Sequence, residues 1–170
     1  LDQAPAEEHI SDQQVARPGH SRWHGGELMA WHAFDLDHLA QEIVLKARNR
    51  DPDSLNQAHK MRASCAYGME RFWGEHLRLN GDKSTQKDQH KAAFVADVWR
   101  ALVGILKPGG IDLPGLHSNR DPEAAIQAGA EQIWSLEREQ QQVSLAVLTA
   151  LCDAVVWWTQ RLKTAAGGAD

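Results

Sequence analysis

The stretch that most constrains this chain is residues 143–162, VSLAVLTALCDAVVWWTQRL, in which most side chains are apolar. Thr149, Asp153 and Gln160 fall on one narrow side of a helix, because side chains spaced in this way share a helical face. We expect all the other side chains to face protein. Twenty residues are too many for one strand, and the charges argue against a membrane span of about 20 predominantly apolar residues. The stretch predicts a long helix that is buried or docked.

Tryptophan is unusually frequent in this chain. Seven Trp accompany one Tyr and three Phe among 170 residues, whereas the 42% hydrophobic and 24% charged residues are ordinary for one globular domain. Trp supplies a large apolar area both to cores and to interfaces. We expect some of these residues to contact a partner protein, namely Trp23, Trp31, Trp157 and Trp158. The alternative is that all seven are buried or half-exposed.

The charge and the two cysteines exclude some classes of protein. A formal net charge of −5 argues against a protein that mainly neutralises phosphates, although a local basic face remains compatible with it. Cys65 and Cys152 form neither a disulfide framework nor the spacing of a zinc site. No signal peptide is visible, so we expect a reducing, cytoplasmic environment. No cofactor and no membrane partner are expected.

The remaining sequence predicts an all-α fold: a single-domain bundle of four to five helices over residues 26–164. A polar arm, residues 1–25, precedes the bundle, and a frayed tail, residues 165–170, follows it. The arm is rich in polar residues and Pro and shows no sustained period, so we expect it to be flexible or to dock on a partner. Trp23 is its candidate anchor.

Hydrophobic periodicity and Pro or Gly punctuation give the helix boundaries. They predict a first helix over residues 27–48, a second from 51 or 53 to about 79, a third from a Ser84 cap to 107, and a fourth from 121. We expect a break or kink near residues 141–144, before the long apolar stretch. One continuous helix is the alternative.

The third predicted helix and the loop after it have contrasting compositions. Residues 92–106 are apolar around most of the helix, apart from Asp97, Arg100 and Gly104, so this helix is expected to be central. Residues 108–120, PGGIDLPGLHSNR, form the longest internal loop. A loop of this length in a helical domain is either functional or covers one end of the helices.

Arg71 and His76 lie five residues apart in the second predicted helix. Histidine can accept and donate a proton near neutral pH, and arginine can hold a phosphate. The pair resembles the signature of HEPN-type ribonucleases, which are small all-helical domains. That resemblance implies that Arg71 and His76 meet across a homodimer and cleave RNA without a metal. The alternative is structural, because His76 continues an apolar line with Met69 and Phe72.

No metal site is predicted. His20, His24, His32 and His38 are close in sequence, but no HExxH, Glu-x-x-His or cysteine partner accompanies them. A Gly-rich phosphate loop, a nucleophile elbow and a Ser/His/Asp arrangement are also missing from the sequence. No catalytic residue is therefore predicted outside the ribonuclease alternative.

Basic residues near the end of the second predicted helix and the start of the third form a candidate nucleic-acid surface. Such residues, together with aromatic side chains, can follow a single strand. The alternative is a solvated surface of mixed charge. The candidates are Arg71, Arg78, Lys83, Lys87 and Lys91.

Two segments resemble the small helical subunit of type III CRISPR effector complexes. Residues 147–166, VLTALCDAVVWWTQRLKTAA, are similar to its closing helix. Residues 38–63, HLAQEIVLKARNRDPDSLNQAHKMRA, are similar to its opening helix, polar linker and second helix. The resemblance implies a non-catalytic subunit that lines the guide–target duplex through basic side chains. The side chains that it implies by position are Arg62, Arg71, Arg78, Lys83 and Lys87.

The sequence as a whole favours a non-catalytic α-helical subunit or interaction module of a larger assembly. The partners are expected to be proteins, with RNA as a further candidate. The alternative is the homodimeric, metal-independent ribonuclease. The oligomeric state does not follow from the sequence.

Overall fold

The computed structural model describes the backbone of residues 27–118 and 121–164, and within these ranges the side chains from 35 to 163. Every regular element in these residues is helical, which confirms the all-α class. Three 3₁₀ segments, Pro52–Gln57, Cys65–Tyr67 and Lys107–Gly109, connect longer helices. The described α-helices are α1 (Glu27–Arg50), α2 (Ala58–Ser64), α3 (Met69–Leu79), α4 (Gln86–Leu106), α5 (Glu123–Trp134) and α6 (Arg138–Thr164). The predicted arm, residues 1–25, and the predicted tail, residues 165–170, lie outside the described residues.

Helix α4 is central, as its apolar composition indicates. It packs against α1, α3 and α6, and Thr85 caps its first turn. The predicted cap, Ser84, is wrong by one residue, because it is Thr85 Oγ1 that accepts the Asp88 backbone N–H at 3.2 Å. The Asp88 carboxylate in turn accepts the Thr85 backbone N–H, which completes a capping box.

The predicted second helix, residues 51–79, is wrong as one element. Gly68 divides it: its φ of +107° lies in a region that only glycine adopts readily, so α2 and its 3₁₀ extension end there and α3 begins afterwards. This division accounts for six described helices where four to five were expected. The predicted apolar line nevertheless stays buried: Ala58, Met61, Cys65, Met69, Phe72 and His76.

Helices α5 and α6 are separate, but the break lies at residues 135–137 rather than at 141–144. Gln141 explains the position, because its amide Nε2 donates to the carbonyl oxygens of Trp134 at 3.2 Å and Leu136 at 2.8 Å. These carbonyls lack intrahelical partners at the end of α5, so Gln141 satisfies them from the first turns of α6. The polar run that predicted a break therefore starts a helix.

The loop after α4 runs back along α3 and α4, where it contacts Trp99, Trp73 and His76, rather than over one end of the helices as one of the two predicted alternatives had it. Ile111, Leu113 and Pro114 are buried in it. Two buried indoles hold its backbone: Trp99 Nε1 donates to the Pro114 carbonyl oxygen and Trp73 Nε1 to that of Gly115, both at 2.9 Å.

Helix α6 is long and apolar enough, between Arg138 and Lys163, to cross a membrane by length and composition. The sequence argument that charge excludes a span is therefore wrong as stated. Core helices of water-soluble proteins meet the same criterion, and α6 does enter the core through Leu148, Leu151 and Val155. Only about a third of its apolar window is buried, however. The rest of that window forms surface.

Candidate protein-interaction surface

The exposed side of α6 carries a continuous, mainly apolar row of side chains. We call this row the α6 stripe; it consists of Val143, Ala146, Ala150, Asp153 and Trp157, all of them exposed. The residues follow one another at intervals of three and four, which places them on one face of the helix and is the spacing of a coiled-coil seam. The expectation that side chains other than Thr149, Asp153 and Gln160 face protein is wrong for this row.

Two grooves run along the α6 stripe and join at its middle. One, of about 580 Å³, lies beside Ala154, Trp157 and Trp158, and the other, of about 490 Å³, lies beside Gln142 and Leu145. Both are lined by Ala150 and Asp153, so the two grooves meet beside the middle of the stripe, and Asp37 of α1 also lines the larger one. Alanines at the centre of the stripe leave room for another helix to approach closely.

Large apolar groups mark the two ends of the stripe. Val143 is 50% exposed at one end and Trp157 is 44% exposed at the other. The Trp157 ring lies edge-on to Trp158 at 4.8 Å between centroids, and the Arg161 guanidinium lies over it at 3.2 Å from its centroid. These contacts hold the indole in place while its outer face meets solvent.

The charge within the stripe is compensated inside the chain. Asp153 forms an ion pair with Arg62 of α2, so the carboxylate does not stand alone on the apolar row. The pair is exposed on both sides and contributes little to stability. Because Arg62 neutralises the carboxylate, a partner that covers the stripe does not have to bury a lone negative charge.

The predicted partner-binding tryptophans have different positions. Trp157 is exposed, Trp158 is half-buried, and both border the groove. Trp23 and the side chain of Trp31 lie outside the described residues. Sequence reasoning missed Trp134, which is 59% exposed at the end of α5.

His76 is buried and has both ring nitrogens occupied. Nδ1 lies 3.2 Å from the His117 carbonyl oxygen, which can only accept, so Nδ1 carries the proton. Nε2 then accepts from the Asn80 amide at 3.0 Å. Burial lowers the pKa of His76, and the positive charge of Arg100 lowers it further. A neutral histidine in this setting ties α3 to the loop after α4.

Arg71 lies on a different side of α3 from His76. Five residues correspond to a rotation of about 140° around a helix, and the Arg71 guanidinium lies over the exposed Tyr67 ring, 5.5 Å from its centroid. The structure therefore does not bring the two groups of the ribonuclease alternative together within one chain.

Most of the predicted nucleic-acid residues are paired with carboxylates. Arg71 and Lys83 are exposed and have no carboxylate partner among the described residues. The pairs are Arg62 with Asp153, Arg78 with Glu75, Lys87 with Asp53, and Lys91 with Asp88. The six residues do not form one uncompensated basic surface.

Sequence reasoning missed the strongest charge cluster, which surrounds the buried Asp97. Its Oδ1 accepts from Lys46 at 2.8 Å and from Arg100 at 3.2 Å, and its Oδ2 accepts from Arg50 at 2.8 Å. One carboxylate thus joins α1 to α4. The sequence contained a trace of this cluster, because Lys46 and Arg50 are four residues apart and Asp97 and Arg100 three apart.

Of the four histidines that lie close in sequence, one has a described side chain. His38 is exposed, whereas His20, His24 and the side chain of His32 lie outside the described residues. Within residues 35–163, apart from 119 and 120, no three His, Cys, Asp or Glu side chains are placed to share a metal ion.

Comparison with known proteins gives no relative for this chain: no family model matches it, and no curated protein or solved structure is significantly similar to it.

Proposed function

We propose that this chain is a non-catalytic α-helical subunit that works by docking through the α6 stripe. The observation that carries the proposal is an apolar helix whose inner side is core and whose outer side presents Val143, two alanines and Trp157 to solvent. Uncovered apolar rows of this kind mark interaction sites in folded proteins. Aromatic residues that a partner can cover are the side chains that contribute most to binding.

The architecture supports a structural role in an assembly. The helices around α4 support α6 from its inner side, and the buried ionisable side chains His76 and Asp97 are both engaged within the chain. His76 is held by two protein partners, and Asp97 is saturated by three cations. A docking role requires no reactive group, which agrees with this arrangement.

The experiment is a change of one exposed side chain on the stripe. Trp157→Asp removes the indole and places a hydrated carboxylate where a partner would cover apolar surface, so we expect the affinity of complexes that contain the chain to fall by at least tenfold. Size-exclusion chromatography of the tagged chain in cell extract measures the complexes, and circular dichroism checks that the fold is kept. Trp134→Asp is the control, since Trp134 is also exposed but lies on α5. Unchanged complexes with Trp157→Asp would refute the proposal.

A nucleoprotein role, as the resemblance to the CRISPR small subunit implies, needs a basic surface. Of the candidates, Arg71 and Lys83 are the ones without a carboxylate partner among the described residues. The proposal therefore rests on a protein partner. Anisotropy of a labelled short RNA at low and high salt tests the nucleoprotein form: salt-sensitive binding that Arg71→Ala and Lys83→Ala weaken would support it.

The ribonuclease alternative is tested by one substitution. If His76 is catalytic, His76→Ala abolishes RNA cleavage and leaves the melting temperature unchanged. If it is structural, His76→Ala lowers the melting temperature, because Asn80 and the His117 carbonyl lose a buried partner. Its contacts favour the second result.

A further inference from the structure

The two large side chains of the α6 stripe lie symmetrically about Ala150, whereas Asp153 of the stripe has the half-buried Val147 at its mirror position. Val143 and Trp157, the two large apolar residues, each lie seven positions from Ala150. Ala146 and Ala154 lie four positions from it on either side. An antiparallel copy of the same helix, crossing at Ala150, would place each large residue against its counterpart and the alanines against each other. Such self-complementarity is what a two-fold interface requires.

Acidic residues at the start of α6 and basic residues at its end lie at equal distances from Ala150. Glu139 lies in the first turn and Arg161 in the last, each eleven positions from Ala150. Glu137 and Lys163 lie thirteen positions from it. Arg138 lies between the two glutamates, so the first turn is only weakly acidic. In an antiparallel pair each acidic end still meets a basic end, and the helix dipoles oppose each other favourably.

We infer that the occupant of the α6 stripe is a second copy of this chain, with α6 packed antiparallel on α6 and the two-fold axis near Ala150. This inference rests on the proposed docking function and names its partner. Glu139 of one copy then lies opposite Arg161 of the other, and Val143 lies opposite Trp157. Two carboxylates line the groove, Asp153 and, from α1, Asp37, and Arg62 of the same chain compensates Asp153.

The area of the α6–α6 contact determines how tight a dimer we expect. The groove borders residues 142–158, which corresponds to about 24 Å of helix at 1.5 Å per residue. One pair of helix faces of this length, each about 10 Å wide, buries less than the roughly 1,600 Å² of a standard specific interface. A reversible dimer that grows with protein concentration in the micromolar range is the expected state.

Sedimentation velocity of the full chain over a range of concentrations tests the dimer, and Ala150→Arg tests its location. Two arginines would meet on the axis, so we expect the dissociation constant to rise by at least tenfold. Ala150 is exposed and arginine is a good helix former, so circular dichroism should show the same fold. Ala128→Arg, on the exposed side of α5, is the matched control and should leave the dimer intact.

Charge reversal tests the antiparallel direction. Glu139→Arg alone and Arg161→Glu alone should each weaken the dimer, because like charges then face each other at both ends. An equimolar mixture of these two variants should form a heterodimer at least as readily as the wild type dimerises, since both end pairs are restored. A disulfide between copies of Ala150→Cys, and not between copies of Ala128→Cys, would fix the register.

The outcomes separate this inference from the proposed function. If the chain stays monomeric but Trp157→Asp removes its complexes in extract, the inferred dimer is refuted. Docking through the stripe onto another protein is then retained. A dimer that Ala150→Arg does not weaken also overturns the inference, because another surface then holds it. If the chain is monomeric and Trp157→Asp leaves its complexes in extract unchanged, both the inferred dimer and the proposed docking function are refuted.

Discussion

At the scale of single residues, the buried carboxylate of Asp97 forms ion pairs with three cations. Asp97→Asn leaves Lys46, Arg50 and Arg100 without their shared carboxylate, and Arg50 is the least able of the three to turn to water. We expect a loss of about 2–4 kcal/mol in the free energy of unfolding, because removing one partner of a buried ion pair leaves uncompensated charge. Urea denaturation measures it. Asp82→Asn, at an exposed aspartate, should change stability by less than about 0.5 kcal/mol.

His76 makes stability depend on pH in a defined direction. Its pKa is lowered in the folded protein, so the unfolded chain binds its proton more tightly. The contribution of neutral His76 is therefore complete above the unfolded pKa of about 6.5, and it is lost as the pH falls through that value towards the lower folded pKa. Urea unfolding at about pH 7.5 and 5.5 should show a steeper loss for the wild type than for His76→Gln. Equal losses would contradict this assignment.

At the scale of elements, Gly68 and Gly104 should respond to alanine with opposite signs. Gly68→Ala forces a side chain into a φ of +107° and should cost about 1–3 kcal/mol. Gly104 lies inside α4, where an added methyl group would meet no other atom within 4 Å, so Gly104→Ala should stabilise by about 0.5–1 kcal/mol. Thermal unfolding of both variants decides the matter. A stabilised Gly68→Ala variant would show that the break after α2 needs no glycine.

The helical segments could be predicted from sequence because apolar spacing and Pro or Gly punctuation act locally. The boundaries within them could not. Gly68 interrupts a continuous apolar line, and only its backbone angle reveals the break. Gln141 turns a polar run into a helix start through bonds to Trp134 and Leu136, which depend on how α5 approaches α6.

At the scale of the whole molecule, solvent exposure decides which residues a partner can contact. Exposure is difficult to predict from the sequence. Trp99 and Trp157 lie in similarly apolar runs, yet Trp99 is buried and donates to the loop while Trp157 borders solvent. The three-and-four spacing of the α6 stripe was readable from the sequence. Whether that face met core or solvent was set by the positions of α1 and α2 on the other side of α6.

Both cysteines are buried, so their reaction with a reagent in solution should report unfolding of the whole protein. Cys65 and Cys152 are buried, and a hydrogen bond to Cys65, together with burial, raises the pKa of Cys152. Cys152 should react with a disulfide reagent only when the protein opens globally. We expect its labelling rate, followed by mass spectrometry, to rise in parallel with destabilisation in Asp97→Asn. A cysteine introduced at the exposed Ser135 should react at once in both proteins.

The cluster around Asp97 also limits how this sequence can change over generations. A lone substitution of Asp97 strands three cations, and a lone substitution of Arg50 leaves a buried carboxylate with weaker partners. Replacing the whole group by apolar residues of similar volume, by contrast, can leave stability unchanged or improve it. Single steps are therefore selected against while the joint change is tolerated. Homologues should either keep Asp97 with Arg50 or have lost both, so positions 50 and 97 should covary in an alignment of them.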